Sequence, residues 1–269
     1  MTQFIQRLFV GSGLILITLL WIFLSNAEPF KPFLAFAYAF FIGIVLWEFY
    51  RLPIAKGCDP LDKIGVLTGA AFILSLFYAI DHPFFPFIIL GLSLVWGFGY
   101  FLAMGTDPLI NLSTTYFGIV YLALPLGCLV LIHNHFPDSR LWLLYAIVVT
   151  KFNDIGAYFG GKLFGKHPLT PTISPLKTYE GAISGLTISM LTSLTFSTFL
   201  NLNLLDSLIL GFCIGTLAQF GDAAESLLKR DAKIKDSNSL PGLGGLLDVV
   251  DSLVFTLPFV YGYIKFMEI

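Results

Sequence analysis

Long apolar runs dominate this sequence and leave few folds open to it. A helix needs about 20 apolar residues to cross a bilayer, and only 12% of this chain is charged, against about 25% in globular domains. The runs fall at residues 8–25, 33–50, 64–80, 84–102, 112–133, 141–160, 181–200, 203–220 and 247–266. The sequence therefore predicts an all-α polytopic membrane protein of about nine transmembrane helices.

Polar residues are unevenly distributed along these runs. Residues 1–140 are apolar and indicate scaffold helices, whereas residues 150–252 carry the polar groups of a catalytic region. We expect both parts to belong to one membrane-embedded domain over residues 1–269. Lys151, Asn153 and Asp154 lie inside the sixth run, where ionisable residues usually face a bundle interior or a water-filled cavity. They indicate either a site or a structural salt bridge between Lys151 and Asp154.

The distribution of Lys and Arg predicts the orientation in the membrane, because basic residues of short loops are retained in the cytoplasm. Most of the fifteen basic residues fall on one side of the predicted spans: Arg7, Arg51, Lys56, Lys63, Lys162, Lys166, Lys177, Lys229, Arg230, Lys233 and Lys235. The amino terminus and the polar segment 221–252 are therefore expected to face the cytoplasm, and the carboxyl terminus to lie outside. Residues 8–24 also resemble a secretory leader before Ser25-Asn26-Ala27, but we expect an uncleaved first helix.

The segment from Gly221 to Ser252 concentrates charge between two apolar runs. If 221–235 is helical, one face of that helix carries Asp222, Ser226, Lys229 and Lys233, which recur at spacings of four, three and four. Two further acids, Asp248 and Asp251, stand three apart. Magnesium prefers oxygen ligands and bridges carboxylates to phosphates. The three acids Asp222, Asp248 and Asp251 are therefore the predicted metal ligands.

Cations and a glycine turn surround those acids in the sequence. Lys229, Arg230, Lys233 and Lys235 are candidate phosphate-binding groups, and Asp236 is either a metal ligand or a loop cap. The turn Pro241-Gly242-Leu243-Gly244-Gly245 exposes backbone amides that can bind an anion. A cytoplasmic basic loop broken by glycines is the plainer interpretation, which does not explain two acids at the start of a membrane helix.

A second polar connection precedes the seventh run. Ser174 and Lys177 offer a hydroxyl and an ammonium group to a phosphate, and Glu180 starts the following helix, where helix capping alone explains an acid. The net charge of −2 argues against nucleic-acid binding. Cys58, Cys128 and Cys213 are too dispersed for a zinc or disulfide set.

These two polar blocks resemble the phosphatidate cytidylyltransferase family, also called CDP-diacylglycerol synthases. The resemblance covers residues 153–181, with their Asn-Asp, GAY and SPLKTYEG elements, and residues 221–252. It implies transfer of a cytidylyl group from CTP to phosphatidic acid, which gives CDP-diacylglycerol and pyrophosphate. It also implies Mg²⁺ with K⁺ as a second ion, a homodimer, and a bacterial inner-membrane location among membrane lipids.

The resemblance assigns roles by matching position. The catalytic residues it implies are Asp222, Lys229, Arg230, Lys235, Asp236, Asp248 and Asp251. The substrate-binding residues it implies are Asn153, Asp154, Ser174, Lys177, Glu180, Ser226, Lys233, Gly242, Gly244 and Gly245. This chain departs from the family pattern at Leu243, where His is usual, and at Val249, where Arg is usual, and the loop from Asp236 to Pro241 is one residue shorter.

Two alternatives remain open at the level of sequence. A CTP-dependent polyprenol or phytol kinase is also a multispanning enzyme and differs in releasing CDP. A transporter would use Lys151, Asp154 and the later acids to line a path, although the charges gather on one side and no repeated halves are detected.

Overall fold

The structure, a computed structural model, describes residues 31–79, 81–104, 107–136, 139–234 and 245–267. The helices are α1 (Lys31–Ala55), α2 (Asp62–Phe77), α3 (Phe85–Met104), α4 (Pro108–Gly118), a π-helical segment (Ile119–Ala123), α5 (Leu124–Leu126), α6 (Cys128–His135), α7 (Ser139–Phe164), α8 (Tyr179–Phe196), α9 (Leu204–Asp231), α10 (Leu246–Val250) and α11 (Leu253–Met267). Every predicted span from 33–50 onward overlaps one or more of these helices. The first predicted span, 8–25, lies outside the described residues.

Five helical segments of the described residues are long and apolar enough to cross a membrane: Phe33–Ala55, Phe85–Met104, Pro108–Asn134, Leu204–Asp231 and Leu246–Met267. They confirm the all-α class and an integral membrane protein. Helix α2 has only 16 residues, and α7 carries Lys151 and Asp154 within its length. The count of nine spans stays a prediction.

A short β-hairpin interrupts the helices between α7 and α8. Strand β1 (Pro168–Thr170) pairs antiparallel with β2 (Ser174–Thr178), with Pro168 opposite Thr178 and Thr170 opposite Ser174. Thr178 then caps α8, because its Oγ1 accepts a hydrogen bond of 3.2 Å from the Gly181 amide. The sequence predicts only a polar connection here. The hairpin places Ser174 and Lys177 on the same strand.

The chain forms two compact units. The first comprises residues up to His135 together with Asp231–Val249, and the second comprises Phe136–Arg230 together with the chain from Val250. In the first unit α1 packs against α2 and α2 against α3. The buried Tyr50 hydroxyl donates to the Thr115 carbonyl oxygen at 2.7 Å, which ties α1 to α4. The predicted single membrane-embedded domain, with its scaffold and catalytic parts, stays a prediction.

In the second unit α7 and α8 meet along a seam of small residues. A Cβ atom on Gly185 of α8 would lie 2.9 Å from the Asn153 carbonyl oxygen of α7, so only glycine allows this approach. Helix α11 packs against α7 as well, and the Thr150 and Thr256 hydroxyls are 3.3 Å apart. The polar stretch of α7 is therefore held between two other helices of its unit.

Two helix boundaries correct the sequence analysis. The run 203–220 and the charged segment after it form one helix, α9, which ends at Asp231, so 221–235 is not helical throughout. Lys233 has φ 57°, a left-handed conformation that ends helices, and it does not share the helical face of Asp222, Ser226 and Lys229. The predicted helix 247–266 is also interrupted, between α10 and α11.

Candidate active site

The break between α10 and α11 holds two buried polar residues of the second unit. Asp251 is 7% exposed and Ser252 is fully buried. The Ser252 amide donates to Asp251 Oδ1 at 2.5 Å, a local bond that competes with helical hydrogen bonding. Asp251 and Ser252 therefore lie in a turn between two helices and not within one continuous helix.

Lys151 of α7 forms a hydrogen bond with Ser252 in this break. Its Nζ donates to Ser252 Oγ at 2.8 Å and lies 3.2 Å from Asp154 Oδ2. Ser252 Oγ in turn donates to Asp154 Oδ2 at 3.1 Å, so the three side chains form a closed triangle. The Lys151 and Asp154 side chains are 32% and 34% exposed. The Lys151 and Asp154 side chains are therefore partly exposed at the surface of the protein, whereas the serine between them is buried.

A second lysine pairs with the next predicted metal ligand. Lys177 Nζ on β2 is 2.8 Å from Asp222 Oδ1 on α9. Asp251 adjoins both pairs, because the next residue, Ser252, is hydrogen-bonded to Lys151 and Asp154, and Gly221, which precedes Asp222, packs against the Asp251 carbonyl oxygen. We call the five residues Asp154, Asp222, Asp251, Lys151 and Lys177 the charge cluster. It contains three carboxylates and two ammonium groups, and all five residues belong to the second unit.

Gly221 lets α9 approach the break in the last helix. A Cβ atom at this position would collide with the Asp251 carbonyl oxygen. Helix α9 and the Asp251 backbone can be this close only because residue 221 lacks a side chain. The neighbouring Asp222 is thereby brought near Asp251.

Asn153, which lies on α7 between Lys151 and Asp154 of the charge cluster, is fully buried. Gln219 Nε2 of α9 donates to Asn153 Oδ1 at 3.1 Å and to the Ala182 carbonyl oxygen at 2.9 Å, which joins α7, α8 and α9. Asn153 Nδ2 is buried and has no hydrogen-bond partner among the residues that the structure describes. The structure thus gives Asn153 a role in joining helices, and its predicted substrate contact stays a prediction.

Two of the three remaining predicted site residues of α9, Lys229 and Arg230, have protein partners. Lys229 Nζ is 2.6 Å from Glu225 Oε2, in a pair whose side chains are only 11% and 1% exposed. Arg230 is exposed, and its Nε donates to the Ile173 carbonyl oxygen of the hairpin at 3.1 Å. Ser226 is partly buried on the same helix. The predicted catalytic cation Lys229 is therefore committed to an internal acid.

Glu180 joins the end of α7 to the start of α8. Its Oε2 accepts hydrogen bonds from the Lys166 and His167 amides at 3.0 and 3.2 Å, and its Oε1 is 2.6 Å from His167 Nδ1. These bonds, the Lys166 amide first and then the His167 ring, lower the pKa of Glu180 from 4.5 to about 2. Glu180 accordingly holds in place Lys166 and His167, the two residues before strand β1. The predicted contact of Glu180 with substrate stays a prediction.

Asp248 belongs to the first unit. Its Oδ2 accepts a hydrogen bond of 2.6 Å from the Gly245 amide, which caps the short helix α10. Glu48 of α1 is fully buried and its Oε2 accepts a hydrogen bond of 2.8 Å from the Leu247 amide. Glu48 thus fixes the backbone directly before Asp248. Binding of one cation by Asp248 together with Asp222 and Asp251 stays a prediction.

The donor chemistry fits a hard divalent cation, because Asp154, Asp222 and Asp251 offer only oxygen ligands. Within the described ranges, however, no group of three or more His, Cys, Asp or Glu side chains is arranged to hold a metal. Lysine ammonium groups accompany the carboxylates instead. Four predicted site residues lie outside the described residues: Lys235, Asp236, Gly242 and Gly244.

Sequence reasoning missed several polar residues that the structure brings into these networks. Glu225 and Lys229 stand four apart on one helix, a spacing that predicts an ion pair. Ser252 and Gln219 carry no local signal, since their partners lie 101 and 66 residues away along the chain. Glu48 and Arg51 stand three apart in the sequence, a spacing that indicates a pair with each other, whereas Arg51 stacks 3.8 Å above the Trp47 ring.

The sequence of this chain is similar to that of known proteins. Residues 5–267 match the profile of the cytidylyltransferase family. A phosphatidate cytidylyltransferase of Chlamydia pneumoniae is 31% identical over 95% of this chain and 90% of that protein. One from Helicobacter pylori is 45% identical over 131 residues, 48% of each chain.

Coverage differs between relatives. The phosphatidate cytidylyltransferase of Chlamydia muridarum is 36% identical over 167 residues, 57% of this chain and 55% of that protein. The match thus spans about half the length of several curated relatives and nearly all of the Chlamydia pneumoniae protein.

Proposed function

The chain belongs to the cytidylyltransferase family, and from this we propose that it transfers a cytidylyl group from CTP to phosphatidic acid. The products are CDP-diacylglycerol and pyrophosphate. The observation that carries the proposal is the charge cluster, which gathers carboxylates and lysines from α7, β2, α9 and the break before α11. Ionisable groups are costly among membrane helices and usually serve function there.

The reaction requires alignment and charge compensation more than covalent help from the protein. A phosphate oxygen of phosphatidic acid forms a bond to the α-phosphorus of CTP. The bond from that phosphorus to the oxygen bridging to the β-phosphorus breaks, and pyrophosphate leaves with this oxygen. The attacking phosphate is already anionic at neutral pH, so the site needs no strong general base.

We assign the carboxylates Asp222 and Asp251 to magnesium, with Asp248 as the expected third ligand. Bound magnesium would neutralise phosphate charge and orient the phosphate oxygens. Lys177 is placed to add positive charge beside Asp222, since the two groups are 2.8 Å apart. The proposed potassium ion and homodimer rest on the family resemblance alone.

We propose that the active site faces the cytoplasm. Most Lys and Arg residues fall on one side of the predicted spans, which supports a cytoplasmic amino terminus, a cytoplasmic active site and an external carboxyl terminus. The bacterial relatives support the inner membrane as the location. Phosphatidic acid would then enter sideways from the cytoplasmic leaflet with its tails in the hydrocarbon.

The test uses purified full-length protein in nanodiscs, with CTP labelled in the cytosine, dioleoyl phosphatidic acid and Mg²⁺. We expect a labelled lipid and one pyrophosphate for each lipid formed. Absence of labelled lipid at any Mg²⁺ concentration would overturn the assignment. Release of CDP with an isoprenoid alcohol would instead identify a kinase, and solute flux without nucleotide would identify a transporter.

A further inference from the structure

One side-chain amide links three helices of the second unit beside the charge cluster. Gln219 Nε2 of α9 donates hydrogen bonds to Asn153 Oδ1 on α7 at 3.1 Å and to the Ala182 carbonyl oxygen on α8 at 2.9 Å. A glutamine amide nitrogen carries two N–H groups, so these bonds use both of them. Gln219 lies outside the two polar blocks 153–181 and 221–252, and no role has yet been assigned to it in the reaction.

The first of these bonds holds α9 against α7 next to the charge cluster. Asn153 directly precedes Asp154 on α7, and Asp222 follows Gln219 by three residues on α9, a spacing that places both on one face of that helix. Asn153 is fully buried, so water cannot readily replace the donor that it receives from Gln219. The bond therefore determines where Asp222 lies along α7 relative to Asp154.

The second bond holds α9 against the start of α8. Ala182 lies in the first turn of α8, and Thr178, which caps that helix, directly follows Lys177 on β2. Lys177 Nζ in turn is 2.8 Å from Asp222 Oδ1. The Gln219 amide thus joins α9 both to the helix that carries Asp154 and to the helix that follows the strand of Lys177.

The oxygen that accepts the first bond lies among close-packed helices. A Cβ atom on Gly185 of α8 would lie 2.9 Å from Asn153 Oδ1, and one on Gly215 of α9 would lie 3.1 Å from it. Both distances are shorter than an ordinary van der Waals contact. Small residues let the helices approach this closely, and the donor that reaches Asn153 Oδ1 selects one register between them.

We propose that Gln219 is a positioning residue of this enzyme, whose two hydrogen bonds set the positions of Asp154 and Lys177 around Asp222. The inference rests on the proposed function, in which Asp222 and Lys177 belong to the active site. Loss of the two bonds lets α7, α8 and α9 shift against one another, and a displacement of about 1 Å can lower a rate by about 100-fold. A residue needed only for folding would leave the rate of the folded enzyme unchanged.

Gln219→Met tests this role, because methionine is also unbranched and of similar length but has no N–H group. In full-length protein in nanodiscs, kcat should fall by about tenfold or more, and the KM for CTP should change by less than about threefold, because misalignment affects the transition state more than binding. Gln219→Asn keeps both N–H groups on a shorter side chain and should give an intermediate kcat.

Thr216→Val is the matched control. It removes a hydroxyl group from the same helix, where Thr216 Oγ1 donates to the Phe212 carbonyl oxygen of α9 itself at 2.8 Å. Its kcat should stay near that of wild type. A folded Gln219→Met variant with the kcat of this control, or with a change in KM alone, would overturn the proposal.

Distances between spin labels test the positioning without turnover. Labels at the exposed residues Ile155 of α7 and Leu227 of α9 report how these helices lie against each other, once the three native cysteines are replaced by alanine. Pulsed electron paramagnetic resonance should give a shifted or broader distance distribution in Gln219→Met and the wild-type distribution in Thr216→Val. An unchanged distribution in Gln219→Met would also overturn the proposal.

A folding defect and a failed functional assignment give different results. If Gln219→Met does not fold, Gln219→Asn carries both measurements, and wild-type values of kcat and label distance in that variant overturn the proposal. If wild-type protein forms no CDP-diacylglycerol, the proposed function fails, while the label distances still decide whether Gln219 positions α7 against α9.

Discussion

Glu48 and the Leu247 amide are joined by a hydrogen bond of 2.8 Å across 199 residues of sequence. The acceptor is a fully buried side chain of α1, and the donor lies at the first turn of α10. The bond holds the backbone that leads into Asp248. A residue far from the polar signature in sequence thus determines the position of one of its acids.

Replacing Glu48 with Leu should lower the stability of the protein. A buried amide that loses its acceptor costs about 1–3 kcal/mol, whereas Glu48→Gln retains a carbonyl oxygen for the Leu247 amide. We expect a clear fall in melting temperature for Leu and a small one for Gln, measured by thermal unfolding in nanodiscs. Equal melting temperatures for the two variants would contradict the role of this bond.

Asp248→Asn should separate capping from catalysis. The Asn side-chain oxygen can still accept from the Gly245 amide, so the helix cap is preserved. Loss of a ligand charge should lower kcat by about 100-fold or more, with the melting temperature near wild type. Near-normal turnover in a folded Asp248→Asn protein would argue against metal ligation by Asp248.

Gly221→Ala should damage the site through backbone displacement. The added methyl group would collide with the Asp251 carbonyl oxygen, and overpacking of this kind costs about 1–3 kcal/mol. We expect a lower melting temperature and weaker Mn²⁺ binding. Gly99→Ala is the control, because a Cβ atom there meets nothing within 4 Å; the inference about Gly221 fails if both variants behave alike.

The Glu225 and Lys229 pair allows a double-mutant test. Removing one member of a buried ion pair leaves an uncompensated charge and costs about 3–5 kcal/mol, whereas removing both is much milder. Glu225→Leu should therefore melt lower than the double variant with Lys229→Leu. Catalysis in the double variant then decides the role of Lys229: loss of turnover in a stable protein supports a catalytic lysine, and retained turnover supports a structural one.

Glu180 predicts a defined pH dependence of stability. Its pKa in the folded protein is about 2, below the usual 4.5, so its carboxylate contributes stability that is fully present above about pH 4.5. That contribution is lost as the pH falls toward 2. The melting-temperature difference between wild type and Glu180→Gln should shrink as the pH falls from about 4.5 toward 2. A difference that grows in this range would contradict the assignment.

The apolar pattern predicts where helices lie because burial in lipid demands it. The run 33–50 lies within α1, and 84–102 matches α3 closely. Helix interruptions were not predicted, since the break at Asp251–Ser252 depends on a side chain bonding to the next backbone amide. Hydropathy does not contain that information.

The sequence predicts which residues belong to the candidate site but not which of their side chains pair with one another. The signature acids and lysines were identified from spacing and resemblance. The pairs Lys177 with Asp222 and Lys151 with Ser252 join residues from distant parts of the chain, so only tertiary structure could reveal them. Resemblance also did not point to Glu48, which lies in the apolar first half.

The glycine seam between α7 and α8 determines how the second unit responds to its bilayer. At Gly185 and Asn153 the two backbones are in direct contact, so at this point no side chain lies between the helices to absorb lateral pressure. A thicker or thinner membrane would then tilt both helices together as one stiff element. Residues carried by the pair would keep their mutual spacing, so lipid composition would act on the enzyme through access of its substrate and not by distorting the site.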